Sequence, residues 1–309
     1  AQIAQARKNV HLKHRGTLPV TDSLNYDKLY DLGYFFDGGK LYDGKNTLVS
    51  DWGEYSPQTR EAVFNYHVKL TNERFTLTSD TLHYNTLTKI THIVGPSNIN
   101  SDGNRIYTER GYYDTAKDYA ELFDRSVVIN GKSTMTGDSM YYDKKNGKMH
   151  AYNNIVYNDK GNKNLLTGDY CEYDDTTGYA MATKNAVVRD YSSPDTLFMH
   201  ADTFKIFTYN IRTDSVYRLV HGYHKARAFR SDVQSVCDSL KYDSKNKKMT
   251  MYGNPIVWNN NQQLLGEEIQ VFMCDSTIDS VHVIRQALLA QQLDSACYNQ
   301  VAGREMYAY

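Results

Sequence analysis

Hydrophobic runs of membrane-spanning length are missing from this chain of 309 residues. No segment approaches the roughly 20 consecutive apolar residues of a transmembrane helix, and the opening Ala1-Gln-Ile-Ala-Gln-Ala6 lacks the apolar core of a secretory signal. Charge of one sign is missing too, because 35 basic and 36 acidic residues leave a net charge of −1. No overall field therefore attracts nucleic acid. The sequence predicts a soluble chain with no nucleic-acid partner.

Motifs that carry chemistry are also lacking. The sequence contains no glycine-rich phosphate loop, no nucleophile elbow and no zinc-protease motif. The pairs His11/His14 and His221/His224 lack a third ligand at a recognisable spacing, and residues at i and i+3 of an extended strand point to opposite faces. We therefore expect neither a cofactor nor a metal site.

Cysteine and proline are scarce, with four and five residues, whereas tyrosine is abundant with 27. Aromatic and β-branched residues separated by Asn, Asp, Thr and Gly are typical of strands and tight turns, so the composition predicts an all-β fold. If neighbouring repeats stack in register, Cys237 and Cys274 lie roughly 26 Å apart along the strands, too far for a disulfide. Cysteine spacing does not reveal the redox compartment.

A pattern of an acidic, an apolar or small, and an aromatic or aliphatic residue at alternate positions recurs along the chain. The third position, here called the anchor, repeats at steps of 29, 29, 29, 29, 31, 33, 36 and 29 residues. This periodicity predicts an elongated stacked array of about nine to ten 29-residue repeats. The anchors are Tyr26, Tyr55, Tyr84, Tyr113, Tyr142, Tyr173, Ile206, Tyr242 and Val271.

Each repeat reads as a strand, a turn and a returning strand. Residues at i, i+2 and i+4 share one face of a strand, so the acidic, apolar and anchor positions are predicted to face inward together. Eleven places beyond the anchor stand residues that tolerate positive φ, such as Gly95, Asp124 and Asn153, which predicts a bulge or bend. Tyr66 and Tyr217 do not fit this rule, and the bend is left open there.

The array is predicted to be one continuous body over residues 1–309, with an irregular segment at 207–237 where the step lengthens. A strand is predicted for 283–293 despite its good helix formers, because the pattern resumes at Asp294 without room for a helix and a return strand. That further copy, Asp294/Ala296/Tyr298, stops at Tyr309, so we expect a fragment of a longer protein.

The inward acidic residues do not indicate an enzyme. A catalytic carboxylate pair is a unique constellation, whereas an Asp in almost every repeat more often satisfies backbone donors of turns or edges. The sequence therefore predicts a protein without catalytic residues.

Four segments share a signature: Leu77-Thr-Ser-Asp-Thr-Leu-His-Tyr-Asn, Met135-Thr-Gly-Asp-Ser-Met-Tyr-Tyr-Asp, Leu165-Leu-Thr-Gly-Asp-Tyr-Cys-Glu-Tyr-Asp and Tyr252-Gly-Asn-Pro-Ile-Val. They resemble the repeated signatures of the OstA-like family of periplasmic lipopolysaccharide-transport proteins (LptA-like). Three further segments resemble the larger form of the Bacteroidetes lineage: Asp51-Trp-Gly-Glu-Tyr-Ser-Pro, Gly95-Pro-Ser-Asn-Ile and Tyr298-Asn-Gln-Val-Ala-Gly-Arg-Glu-Met. The resemblance implies an open, V-shaped β-jellyroll. It also implies a periplasmic location, with outer-membrane association left open, and a groove that holds the acyl chains of lipid A. The implied partners are lipopolysaccharide and other OstA-like domains end to end, with self-association as an alternative.

By this resemblance the inward ladder would line the lipid groove. An apolar ladder more often packs as an ordinary core, and sequence alone does not distinguish a closed from an open cross-section. The candidate groove residues are Leu24, Tyr26, Tyr55, Leu82, Tyr84, Tyr113, Met140, Tyr142, Tyr173, Phe204, Ile206, Leu240, Tyr242, Ile269 and Val271.

Two other classes stay open as alternatives. A polysaccharide-acting β-helix predicts Asp and Arg clustered in two or three adjacent repeats, a cluster that the sequence does not show. A tyrosine-aspartate-repeat surface shell is suggested by Tyr142-Asp-Lys-Lys-Asn-Gly, but its repeats are shorter and lack both the Gly-Asp before the tyrosine and the bend after it.

Overall fold

The computed structural model describes residues 2–101, 103–192, 194–211, 213–274, 277–295 and 297–309. Within these ranges the chain forms 26 β-strands and no helix, and the strand pairings are antiparallel. The predicted all-β fold is confirmed. Across the described residues, membrane-spanning helices of sufficient length and apolarity are absent. The chain divides into two compact units, unit 1 (Ala1–Gly147) and unit 2 (Lys148–Tyr309).

Unit 1 is a meander in which successive passes of chain pair side by side. Two passes are interrupted: both β3 and β4 pair with β2, and both β5 and β6 pair with β7. The strands are β1 (Ile3–His11), β2 (Thr17–Asp27), β3 (Leu32–Phe35), β4 (Gly39–Asp43), β5 (Asn46–Ser50), β6 (Trp52–Tyr55), β7 (Glu61–Thr71), β8 (Phe75–Asn85), β9 (Ile90–Ser101), β10 (Asn104–Asp114), β11 (Tyr119–Asn130) and β12 (Ser133–Asp143).

Unit 2 repeats this plan with four interrupted passes. Its strands are β13 (Lys148–Asp159), β14 (Asn164–Asp174), β15 (Tyr179–Asp190), β16 (Leu197–Tyr209), β17 (Tyr217–Tyr223), β18 (Ala226–Phe229), β19 (Val233–Cys237), β20 (Ser239–Asp243), β21 (Lys248–Tyr252), β22 (Ile256–Asn259), β23 (Gln262–Leu265), β24 (Glu268–Cys274), β25 (Thr277–Gln292) and β26 (Tyr298–Ala308). The strand expected at 283–293 is confirmed as part of β25, whereas Ala296 of the last repeat lies outside the described residues.

The long strands bend in the middle, where residues take positive φ and the pairing register shifts. The predicted bends at Gly95 (φ 89°), Asp124 (57°) and Asn153 (57°) are confirmed. A bend also occurs at Tyr66 (65°) and His67 (50°), where the sequence left it open. Within each unit, positive-φ residues therefore recur in alternate passes, where the pairing register with the neighbouring passes shifts.

In the irregular segment 207–237 the bend lies further from its anchor, Ile206, than in the other repeats. The bend lies at His224 and Lys225 (φ 60° and 53°) and divides one pass into β17 and β18. The longer repeat step provides the loop between β16 and β17, which precedes Tyr217.

The bend creates two arms whose inward side chains form the core. In β8, arm A is the half that contains the anchor Tyr84, and arm B is the half that begins at Phe75. Buried residues alternate with outward ones along both halves. In unit 1 the arms face each other directly, since the ring centroids of Phe75 on arm B and Tyr113 on arm A are 4.5 Å apart. The cross-section of unit 1 is therefore a V with a filled interior.

The acidic residues of the repeat do not face inward, contrary to the prediction. Asp80, for example, is exposed between buried Ser79 and half-buried Thr81, because the register shift at the bend breaks the period-two alternation. Of the nine acidic positions, six are exposed and three half-buried. At several bends the carboxylate contacts the positive-φ residues of the adjacent strand, as when Asn185 Nδ2 donates to Asp169 Oδ2 (2.9 Å). These carboxylates stabilise the bend of the adjacent strand through hydrogen bonds and ion pairs.

Candidate functional site

The open end of each V is built by the residue that follows the anchor. The Oδ1 atom of Asp114 accepts hydrogen bonds from the backbone N–H groups of Ala116 (3.0 Å) and Lys117 (2.9 Å), which holds the turn at the end of arm A. This turn recurs in both units, so the mouth of the V is set by the same local chemistry along each unit. Equivalent bonds are made by Asp27, Asn85, Asp174 and Asp243.

In unit 1 this mouth is shut by a network that we call the polar closure: Asp43, Asn46, Tyr84, Lys89 and Thr115. The Tyr84 hydroxyl donates to Asp43 Oδ2 (2.7 Å) at the end of arm B, and Lys89 Nζ lies 2.6 Å from the same oxygen. Asn46 Nδ2 donates to Tyr84 Oη (2.9 Å) and to Thr115 Oγ1 (2.9 Å). Tyr84 is 1% exposed. Burial first, and then Asp43, raise the pKa of Tyr84, so its hydroxyl stays protonated as a donor.

The next repeats of unit 1 are joined across the mouth in the same way. Arg74, at the turn of arm B, forms an ion pair of 3.1 Å with Asp118 at the turn of arm A. The Tyr113 hydroxyl bonds to the same Asp118, and burial followed by that carboxylate raises the pKa of Tyr113. Lys144 Nζ donates to Ser101 Oγ (2.6 Å). Unit 1 therefore has no access from its mouth to the apolar interior at these repeats.

In unit 2 the anchor tyrosines are less buried at the corresponding end. The anchor Tyr173 is 41% exposed, and Tyr242 is half-buried. Among the described residues, neither of these two hydroxyls has a hydrogen-bond partner, in contrast to Tyr84. Burial first, and then the Asp190 carboxylate on arm B, raise the pKa of Tyr242 on arm A. We call the partly exposed interior of unit 2 the groove.

The walls and floor of this groove are apolar. Near the bend the floor combines the small buried side chains Ala151, Cys171, Ala182, Ala186 and Ala201 with the larger Phe204, Leu240 and Ile269. Towards the mouth both walls carry half-buried apolar residues that remain in contact with solvent. On arm B these are Tyr157, Leu166, Val188, Met199, Val257, Leu264 and Leu289, and on arm A they are Met149, Ala180, Ile206, Val220, Tyr242, Met249, Val271 and Val281.

Backbone hydrogen bonding is already complete along the groove. Passes from β14 to β25 pair with a neighbour on both sides. A peptide strand could therefore gain no ladder hydrogen bonds by entering it. An occupant held by apolar contacts alone suits the site better.

Some of the predicted groove residues lie in the closed interior of unit 1, and the others lie in the partly exposed interior of unit 2. Their placement on the inward face agrees with the expected alternation, but whether they bind lipid stays a prediction. Buried in unit 1 are Leu24, Tyr55, Leu82, Tyr84, Tyr113 and Met140, with Tyr26 and Tyr142 half-buried. In unit 2, Phe204, Leu240 and Ile269 are buried, Ile206, Tyr242 and Val271 are half-buried, and Tyr173 is exposed.

Arm B supplied the lining residues that the sequence reasoning missed. A signal for them exists, because an apolar residue stands seven places before most anchors. In unit 1 these residues are buried, and in unit 2 they line the groove. The set comprises Leu48, Leu77, Ile106, Met135, Leu166, Met199 and Leu264.

No cluster of three His, Cys, Asp or Glu suited to a metal occurs within the described ranges. The four cysteines are free thiols, with Cys171 and Cys237 buried and Cys274 and Cys297 exposed. The chemistry of the groove is therefore that of apolar surface bordered by polar turns.

One comparison with known proteins agrees with the resemblance over the first part of the chain. The sequence model described as OstA-like protein matches residues 1–80. No curated protein matches the chain. A similar solved structure is the crystal structure of LptH from Pseudomonas aeruginosa, described as the LptA homologous periplasmic component of the conserved lipopolysaccharide transport device. It shares 20% identity over 35% of this chain and 82% of that chain, with a TM-score of 0.33.

Proposed function

We propose that this chain is a non-enzymatic carrier of lipopolysaccharide that holds lipid A acyl chains in its apolar groove, in the periplasm between the inner and outer membranes. The observation that carries the proposal is the groove of unit 2, where apolar residues on two facing arms remain half-exposed. Contiguous apolar surface of this kind marks a binding site in a soluble protein. The OstA-like match over residues 1–80 and the resemblance of the repeats support lipopolysaccharide as the ligand.

End-to-end assembly with other OstA-like domains, or with a second copy, belongs to the same proposal. Among the described strands, β1 pairs only with β2, and β26 pairs only with β25. Most side chains of both strands are exposed. Each therefore offers a row of unpaired backbone groups to a partner strand.

Site-specific photo-crosslinking tests the ligand. Val188 faces the groove, since it pairs with Leu166 and Met199, whereas Val187 faces outward. A photo-crosslinking residue at position 188 should label lipopolysaccharide, and the same residue at position 187 should not. The two sites are adjacent and carry the same native residue, so they differ only in the face they occupy. Equal labelling, or labelling at neither site, would refute the proposal.

A further inference from the structure

One inward position of the repeat carries large side chains throughout unit 1 and smaller ones in the first passes of unit 2. Nine places beyond the anchor, unit 1 carries Phe64, Ile93 and Leu122, all buried. In unit 2 this position holds Ala151 and Ala182 in the first passes and the larger, also buried Met251 in a later pass. Large side chains occupy the interior of unit 1 themselves. In the first passes of unit 2 the smaller alanines occupy less of the interior.

The mouth of the V is also more tightly closed in unit 1 than in unit 2. In unit 1 the polar closure joins arm A to arm B through Asp43, whose side chain is 5% exposed and bonded to both Tyr84 and Lys89. Opening it would leave a buried carboxylate without its partners, which is costly. In unit 2, Tyr173 and Tyr242 make no such bond among the described residues, so entry of a ligand breaks none at these anchors.

We infer that the acyl-binding site of this protein is confined to unit 2, and that the repeats of unit 1 from Asp43 to Asp118 form a permanently filled, sealed segment that takes up no acyl chain. This inference rests on the proposed function and narrows its site. The occupant is an acyl chain because the walls are apolar on both arms and the strand backbones are already paired. The sealed segment instead gives the array a rigid section whose stability is independent of cargo.

Amide hydrogen exchange of the intact chain tests this without any substitution. The probes are purified lipopolysaccharide and the same material after removal of its acyl chains. With acylated lipopolysaccharide, exchange should slow by about tenfold in β14–β24 and stay unchanged in β7–β11, because only strands that contact the ligand gain protection. The deacylated probe should protect neither set.

Each outcome decides something different. Equal protection of both sets would overturn the confinement to unit 2 and leave the proposed carrier function standing. Protection of neither set, or equal protection by the deacylated probe, would overturn both.

Filling the floor provides a second test. Ala201→Leu places a larger side chain at a fully buried floor position, and it should weaken lipopolysaccharide binding by about tenfold through lost room. The matched control is Ala290→Leu, at an outward position of β25 that pairs with Gln263. Circular dichroism confirms that both variants are folded. Unchanged binding by folded Ala201→Leu would overturn the inference.

Discussion

The ion pair between Lys89 and Asp43 gives the sharpest test of the closed mouth of unit 1. The Asp43 side chain is 5% exposed and that of Lys89 is 33% exposed, with 2.6 Å between Nζ and Oδ2. Lys89→Met would keep most of the aliphatic stem and remove the charge, which leaves a buried carboxylate with Tyr84 as its main donor. Breaking a fully buried pair costs about 3–5 kcal/mol. Because Lys89 is one-third exposed, we expect about 2–4 kcal/mol.

Lys45→Met is the matched control in the same unit. Lys45 and Glu73 form an ion pair of similar length, 2.8 Å, but their side chains are 73% and 66% exposed. Solvent screens exposed pairs, so the loss in Lys45→Met should be clearly smaller than that in Lys89→Met. Urea unfolding followed by circular dichroism measures both variants, with the transition of unit 1 analysed separately if the two units unfold apart. Equal costs for the two variants would refute the claim that the closure is buried and holds the arms together.

Three further predictions concern burial and charge elsewhere. Burial lowers the pKa of His221 in the folded protein, so its contribution to stability is present above about pH 6.5 and is lost as pH falls towards the folded pKa. Between pH 7.5 and 5.5 the melting temperature of His221→Gln should therefore fall less than that of the unchanged protein. An equal fall in the two proteins would contradict this. Iodoacetamide should modify exposed Cys297 and spare Cys171, because burial raises the pKa of the Cys171 thiol to about 12; mass spectrometry showing equal modification would count against it. Leu240→Asp should cost several kcal/mol, roughly 3 or more, whereas Asp169→Asn should change stability and growth complementation little; the reverse ranking would favour an enzyme.

The sequence by itself determined the strands, the turns and the bends. An Asp or Asn after the anchor can accept hydrogen bonds from the two following backbone N–H groups whatever the rest of the chain does, so the turn at Asp114 follows from local chemistry. Asp124 and Asn153 were recognisable as bends because few residue types tolerate positive φ. The bend at Tyr66 was left open by the sequence, since tyrosine does not favour the positive φ that the structure gives it there.

The tertiary structure alone decided which face the acidic residues take and where the V is closed. A bulge shifts the alternation by one place, so Asp80 faces solvent although its sequence spacing predicted the interior. The anchors Tyr84 and Tyr173 occupy the same position of the repeat, yet one is 1% exposed and the other 41%. The difference comes from Asp43, which lies 41 residues before Tyr84 along the chain and reaches it only across the mouth. Repeat sequences specify the passes and their turns, whereas contacts between facing arms join distant repeats, and those contacts decide whether an inward side chain packs in a core or lines a groove.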